Sequence, residues 1–79
     1  MRLLRIDETL RKRGSTKSPH YSDIANGLFT EGVKTGGRRA VGWPEHEVDA
    51  LITARVAGKT DDEIRALVAK LHAARKAVQ

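Results

Sequence analysis

Two short extended runs flank the pair Gly36–Gly37 within the segment from Val33 to Trp43, which limits how the middle of the chain can fold. Glycine adopts the positive φ angles of a tight hairpin turn without steric cost, so the pattern predicts a β-hairpin. Lys34, Arg38 and Arg39 place three cations around the tip. In a small helical protein such a hairpin is typical of a wing that touches a phosphate backbone, although an ordinary solvated hairpin has the same pattern.

Length and composition set the class of protein. A chain of 79 residues is expected to form a single small domain that buries about 60–65% of its unfolded surface. The lack of cysteine excludes disulfides and thiolate metal sites. No apolar run approaches the roughly 20 residues that cross a bilayer, and the start of the chain reaches Asp7 too soon for a signal peptide. We therefore expect a cytoplasmic protein, located at the nucleoid, with no membrane partner.

The positive charge is concentrated in the first half of the chain. Residues 1–43 contain nine Lys and Arg against four acids, whereas residues 44–79 contain six of each. All of the net charge of +5 therefore belongs to the half that contains the hairpin. This asymmetry is typical of a nucleic-acid-binding face, but many small basic proteins bind nothing anionic specifically.

Two short helices are predicted before the hairpin. Asp7 is the expected N-cap of a first helix over residues 8–13, which ends at Gly14. A second helix is expected to start at Ser18–Pro19 and to end at Asn26–Gly27, with Tyr21 on its buried face. Two helices joined by a tight turn are typical of a helix-turn-helix, which also occurs in proteins that bind no DNA.

Two further helices follow the hairpin. Pro44 is expected at the first position of the third helix, whose inner face includes Val56. Thr60 and Glu63 form a capping-box pattern that opens the fourth helix. The remaining apolar positions of these two faces are Val48, Leu51 and Ile52 in the third helix and Ile64, Leu67, Val68, Leu71 and Val78 in the fourth. The predicted fold class is thus mostly α with a small β-hairpin, in the order helix, helix, hairpin, helix, C-terminal helix.

Nearly the whole chain resembles the AlpA family of phage and prophage transcriptional regulators, which are akin to excisionases and to the DNA-binding part of MerR-type regulators. The most specific match is Arg39-Ala40-Val41-Gly42-Trp43 followed by an acidic helix. The other matching positions are individually weak: Leu3-Leu4-Arg5, Gly14, Ser18, Tyr21, Gly27, Phe29, Val33-Lys34, Gly36 and Glu47-Val48-Asp49-Ala50. Two later segments, Ala57-Gly58-Lys59 and Asp62-Glu63-Ile64-Arg65, resemble a longer branch with an added C-terminal helix.

This resemblance implies a winged helix-turn-helix-like DNA-binding domain over residues 1–58. It implies that Ser18 and Ser22 of the second helix face bases, and that Lys34 and Arg39 of the wing face phosphate or the adjacent minor groove. Residues 59–79 are then a C-terminal helix that packs on the domain or mediates dimerisation.

The chain departs from the family pattern at four positions. Ser15, His20 and Asp23 stand where the family usually has aliphatic residues, and Ser22 stands where Arg or Lys is frequent. A carboxylate at position 23 beside DNA would repel phosphate, although it could accept a hydrogen bond from cytosine N4. These departures bear on base preference more than on the fold.

The candidate DNA-binding residues are Lys17, Ser18, His20, Tyr21, Ser22, Lys34, Arg38 and Arg39. Arg38 and Arg39 are expected to contact phosphate or the minor groove rather than solvent alone, while Lys17 is as well explained by solvation as by a backbone contact. Tyr21 is expected to pack, with its hydroxyl free for a phosphate or a carbonyl. Trp43 is expected in the core rather than stacked on a base. Arg11, Lys12 and Arg13 suit the negative end of the first helix as well as they suit DNA.

No catalytic residue, cofactor or metal site is expected. His20, His46 and His72 lack the spacing of a helical metal pair, so the histidines are interpreted as surface or satisfied residues. The carboxylates cluster at helix starts, where capping explains them.

Three functions fit the sequence. The first is a sequence-specific DNA-binding transcriptional regulator of a phage or integrated element, with double-stranded DNA as partner and a homodimer left open. The second is an excisionase that bends DNA for an integrase. The third is a protein-interaction module that uses the apolar C-terminal helix.

Overall fold

The computed structural model describes residues 2–37 and 40–77. Within them, four helices and three short strands follow one another in the order β1 Leu3–Leu4, α1 Ile6–Arg13, α2 Lys17–Ala25, β2 Val33–Lys34, β3 Val41–Pro44, α3 Glu45–Val56 and α4 Asp61–Arg75. The predicted class, mostly α with a small β-hairpin, is confirmed at this level. None of the described helices combines the length and the apolar character that crossing a membrane requires.

The predicted hairpin is present as β2 and β3, which pair antiparallel with Val33 opposite Gly42. Gly36 has a φ of 100°, a conformation that residues with a Cβ rarely adopt. The connection is longer than a two-residue turn, because the Thr35 N–H donates to the Ala40 carbonyl over 3.0 Å beyond the last ladder pair.

A third strand completes the sheet in the order β1-β3-β2. Leu3 lies opposite Pro44 and Leu4 opposite Trp43. Strand β1 is only two residues long, too short to give a periodic sequence signal. Leu4 is buried on the inner side of this strand, whereas Leu3 is 40% exposed.

Helix α1 begins earlier than predicted, directly after strand β1. Arg5 is the N-cap in place of Asp7, and the Glu8 carboxylate accepts a hydrogen bond from the Arg5 N–H over 3.3 Å. The predicted cap was therefore wrong by two residues. The helix ends as expected at Gly14, whose φ is 66°.

The second helix also starts earlier than predicted. Thr16 is its N-cap and Lys17 its first residue, so Ser18 and Pro19 lie inside the first turn. Asn26 is the C-cap, followed by Gly27 with a φ of 73°. Three residues, 14–16, separate α1 from α2.

Helices α3 and α4 close the core over the sheet. The capping box of α4 is confirmed, since the Thr60 hydroxyl accepts from the Glu63 N–H over 3.2 Å and the Glu63 carboxylate accepts from the Thr60 N–H over 3.0 Å. Pro44 precedes α3 as its N-cap instead of occupying its first position. The buried apolar residues come from both helices, the sheet and the loop after α2: Leu4, Phe29, Trp43, Val48, Leu51, Ile64 and Val68.

One position of the predicted inner faces is wrong. Val56 is 84% exposed, because α3 extends beyond the core before it ends. Val78 of the predicted α4 face lies outside the described residues. Helix α4 packs within the same chain, with Ile64 and Val68 in the core formed by the first 58 residues.

Candidate nucleic-acid interface

Helix α2 presents one polar face to solvent. Lys17, Ser18, Tyr21 and Ser22 are all exposed, and their spacing of one and four residues places them on one side of the helix. Within the described residues, the side-chain hydrogen bond on this face is local, from Asn26 Nδ2 to Ser22 Oγ over 3.5 Å. Lys17 makes no ion pair with the described residues. These four side chains are therefore available to a partner.

The burial of His20 and the exposure of Tyr21 are the reverse of what the sequence predicts. Tyr21 was expected to pack and is 51% exposed, whereas His20 was assigned to the DNA-binding surface and is fully buried. The His20 ring lies edge-on to Tyr21, Phe29 and Trp43, with ring centroids 4.9–5.2 Å apart. The assignment of His20 to a DNA contact was wrong, because its side chain is enclosed by aromatic rings.

Arg13 explains why a histidine occupies this buried position. Its Nη1 donates to His20 Nδ1 over 2.7 Å, and its Nη2 donates to Asp23 Oδ2 over 2.5 Å. The guanidinium carbon lies 4.2 Å from the centre of the Phe29 ring, a cation–π distance. A guanidinium can only donate hydrogen bonds, so His20 accepts at Nδ1 and is neutral with its proton on Nε2.

The protonation of His20 follows from this environment. Burial and, to a smaller extent, the positive charge of Arg13 lower the pKa of His20 from 6.5 to about 4, against an opposing effect of Asp23. Its Nε2 has no hydrogen-bond partner among the described residues. The neutral form is therefore the one that the fold accommodates.

Asp23 takes part in the same contact, which changes its interpretation. Its carboxylate pairs with Arg13 and is 30% exposed. Its Oδ2 is therefore engaged inside the protein, so a hydrogen bond from cytosine would have to go to Oδ1. The sequence left open whether Arg13 serves the helix end or DNA. Its side chain is only 14% exposed and is used inside the protein to hold Asp23.

The hairpin supplies the second cationic element. Lys34 is exposed on β2, next to the turn, and makes no ion pair with the described residues. Arg38 and Arg39, the other two cations predicted to contact DNA, lie outside the described residues. Trp43 is 1% exposed and donates from Nε1 to the Thr30 carbonyl over 2.9 Å, which confirms that it belongs to the core.

The ion pairs show which charged side chains are compensated within the protein. Eight of the ten acids pair with a cation, and the two that do not within the described residues are Asp7 and Glu31. Over the same residues the cations without an acidic partner are Arg5, Arg11, Lys17, Lys34, Lys70 and Lys76. Four of these six cations and both unpaired acids precede Trp43, so among the described residues the charge left unpaired is +2 before Trp43 and +2 after it.

The other titratable groups do not converge. Residues 2–37 and 40–77 contain no group of three or more His, Cys, Asp or Glu that could hold a metal ion. His46 is exposed, and His72 Nε2 accepts from the Glu31 N–H over 3.1 Å. His72 therefore joins α4 to the loop before β2.

Comparisons with known proteins leave the chain without an assigned family. No family model matches it, no curated protein matches its sequence, and no solved structure matches its fold.

Proposed function

We propose that this protein binds double-stranded DNA sequence-specifically and regulates transcription of a phage or integrated mobile element. The observation that carries the proposal is the exposed face of α2, formed by Lys17, Ser18, Tyr21 and Ser22. Hydroxyl side chains of this kind hydrogen-bond to base edges or phosphate, and a lysine adds charge toward phosphate. This face is polar and cationic, and the described residues leave it uncovered.

In this proposal the protein has a winged helix-turn-helix-like arrangement. Helix α1, the three-residue turn and α2 act as the helix-turn-helix, and α2 enters the major groove. The β2–β3 hairpin acts as the wing, with Lys34 against phosphate. The resemblance to the AlpA family and the unpaired Lys17 and Lys34 on these two elements support this reading, since released counterions are a large source of affinity for a duplex.

The size of the molecule limits what one copy can recognise. Its longest dimension is 35 Å, about the length of one turn of B-form DNA. One copy therefore contacts one half-site, and tight recognition requires a dimer or several copies along the operator.

The α4 helix argues against the interaction-module alternative. Its apolar residues Ile64 and Val68 are used by the core of its own chain, so they do not form a free docking face. The exposed face of α2 then has no role in a module that works through α4. An excisionase remains a neighbouring function on the same fold, and measured DNA bending that depends on an integrase would favour it.

The proposal is tested by selecting bound duplexes from a random DNA pool. We expect an enriched motif, and Ser22→Ala should change that motif rather than abolish binding. A pool without enrichment would contradict sequence-specific recognition and leave only general affinity for polyanions.

The cationic contacts are tested separately with charge-matched variants. Lys17→Ala and Lys34→Ala should each weaken binding and reduce the slope of log K against log salt by about 1, because each removes one phosphate contact. Lys70→Ala removes the same charge from α4 and serves as the control, which should leave the slope unchanged. Equal effects of all three substitutions would mean that only the net charge matters.

A further inference from the structure

Helix α2 depends on side chains for its position. Each of the other three helices runs close to another helix or strand over several residues, and α2 does not. Its tethers within the described residues are the buried ring of His20, the partly buried Ile24, the Asp23 carboxylate and a hydrogen bond from Arg65 Nε to the Asn26 carbonyl over 3.0 Å. Two of these side chains, His20 and Asp23, accept hydrogen bonds from the same guanidinium.

That guanidinium comes from the last residue of α1. Arg13 spans from α1 to two successive turns of the inner side of α2, at 2.7 Å from His20 and 2.5 Å from Asp23. The two preceding members of the basic run have other environments. Lys12 pairs with Glu45 and Asp49 of α3, and Arg11 is exposed without an ion pair to the described residues. Only Arg13 of this run holds α2.

The contact is directional as well as close. Two hydrogen bonds from the fixed fork of a guanidinium define both the rotation of α2 about its axis and its height along α1. The Phe29 ring lies against the guanidinium and prevents it from swinging into solvent. Since the inner side of α2 is held in this way, the direction of its outer face is also determined.

We propose that Arg13 is a positioning residue for DNA recognition: it orients the outer face of α2 through His20 and Asp23 and does not itself contact DNA. The inference rests on the proposed function, because it assigns a role within the same interface.

The free protein provides the first test. We expect Arg13→Met to shift the amide resonances of Ser18, Tyr21 and Ser22, whereas Arg11→Met, which removes the same charge two positions earlier in α1, leaves them in place. Unshifted α2 amides in a folded Arg13→Met protein would overturn the inference. Since this measurement needs no DNA, it tests the role of Arg13 even if the proposed function is wrong.

The second test separates positioning from direct contact in a thermodynamic cycle. Arg13→Met should weaken binding to the duplex enriched by selection by about tenfold, since residues in one hydrogen-bond network commonly couple at this level. The same substitution made in the His20→Leu/Asp23→Leu background should have less than about a threefold effect, because the groups through which it acts are gone. In both backgrounds the salt slope should stay unchanged.

A direct phosphate contact gives the opposite pattern. Arg13→Met would then cost the same factor in both backgrounds and reduce the salt slope by about 1 in each, which overturns the inference. If Arg13→Met alone fails to fold, the triple variant Arg13→Met/His20→Leu/Asp23→Leu still decides the question, because replacing the whole cluster by apolar side chains leaves no unpaired buried group. A salt slope equal to that of the unmodified protein supports the inference, and a slope reduced by about 1 overturns it. If the unmodified protein does not bind duplex DNA, the proposed function is contradicted. The amide test in the free protein still decides whether Arg13 orients α2.

Discussion

At the scale of single residues, His20 is the least expected feature of the core. An imidazole enclosed by Phe29, Trp43 and Tyr21 is stable only while it is neutral, because protonation would place a second cation beside Arg13. The charged groups that face it are Arg13 from α1 and Asp23 from its own helix. The free energy of unfolding should therefore depend on the protonation of this ring.

We expect stability to fall as the pH is lowered through the window from about 6.5 to about 4. The pKa of His20 is lower in the folded protein than in the unfolded chain, so the unfolded chain binds the extra proton in this window. The loss is absent above pH 6.5 and reaches at most about 3.5 kcal/mol below pH 4, at roughly 1.4 kcal/mol per pK unit.

Denaturant titrations of the unmodified protein and of His20→Gln across this pH range measure the effect. Glutamine keeps an acceptor for Arg13 but does not titrate. Parallel pH profiles for the two proteins would show that His20 does not carry the pH dependence.

The individual side chains of the core were predictable to different degrees. Trp43 was placed correctly from its type and from its position between a strand and a helix. His20 and Tyr21 were interchanged, because hydrophobicity favours burial of tyrosine and the guanidinium that makes a buried histidine acceptable lies seven residues away in another helix. Val56 matches the helical period but lies beyond the region that the core covers.

At the scale of elements, the local signals were reliable for the C-terminal ends of the first three helices and for the start of the fourth. Gly14, Gly27 and Gly58 follow the ends of α1, α2 and α3 with positive φ angles. The capping box at Thr60 is equally local. Strand β1, in contrast, exists only through its pairing with β3, about 40 residues later, and its two residues carry no pattern of their own.

The α4 cap gives a prediction at this scale. Thr60→Ala removes the hydroxyl that accepts from the Glu63 N–H and should lower the free energy of unfolding by about 1 kcal/mol. Thermal or denaturant unfolding measures the loss. Thr53→Ala, an exposed threonine within α3, is the matched control and should be neutral or slightly stabilising, because alanine is the better helix former. If both substitutions lower the free energy of unfolding equally, the Thr60 cap does not stabilise α4 specifically.

At the scale of the whole molecule, α4 belongs to the fold rather than to an appendage. Ile64 and Val68 share one buried cluster with Val48 and Leu51 of α3, and Arg75 of α4 forms an ion pair with the buried Glu47. Each buried aliphatic side chain contributes about 1.5–3 kcal/mol, a large share of the stability of so small a domain.

A chain of residues 1–58 is therefore expected not to fold by itself. Its unfolding curve should lack a cooperative transition, and Trp43, the only tryptophan, should fluoresce as an exposed indole. A cooperative transition with a buried Trp43 signal would show that the first 58 residues form an independent domain and that α4 is an addition to it.

Most residues of the candidate interface could be predicted from the sequence. The contacts that hold α2 in place could not. Exposed Lys17, Ser18, Ser22 and Lys34 follow from polar residues at helical spacing and from the hairpin signal. The contact of Arg13 with His20 and Asp23 depends on how α1 and α2 pack, which no local pattern encodes. The DNA-binding function stays a prediction.

The central claim is that the outer face of α2 and the hairpin contact one DNA duplex. Amide chemical shifts recorded while a short duplex is titrated in at low ionic strength test it most directly. The account predicts shifts at Lys17, Tyr21, Ser22, Lys34 and Gly37 that saturate together, with the amides of Ala66 and Lys70 in α4 unchanged. Resonances of α2 and the hairpin that stay in place as the duplex is added would contradict it.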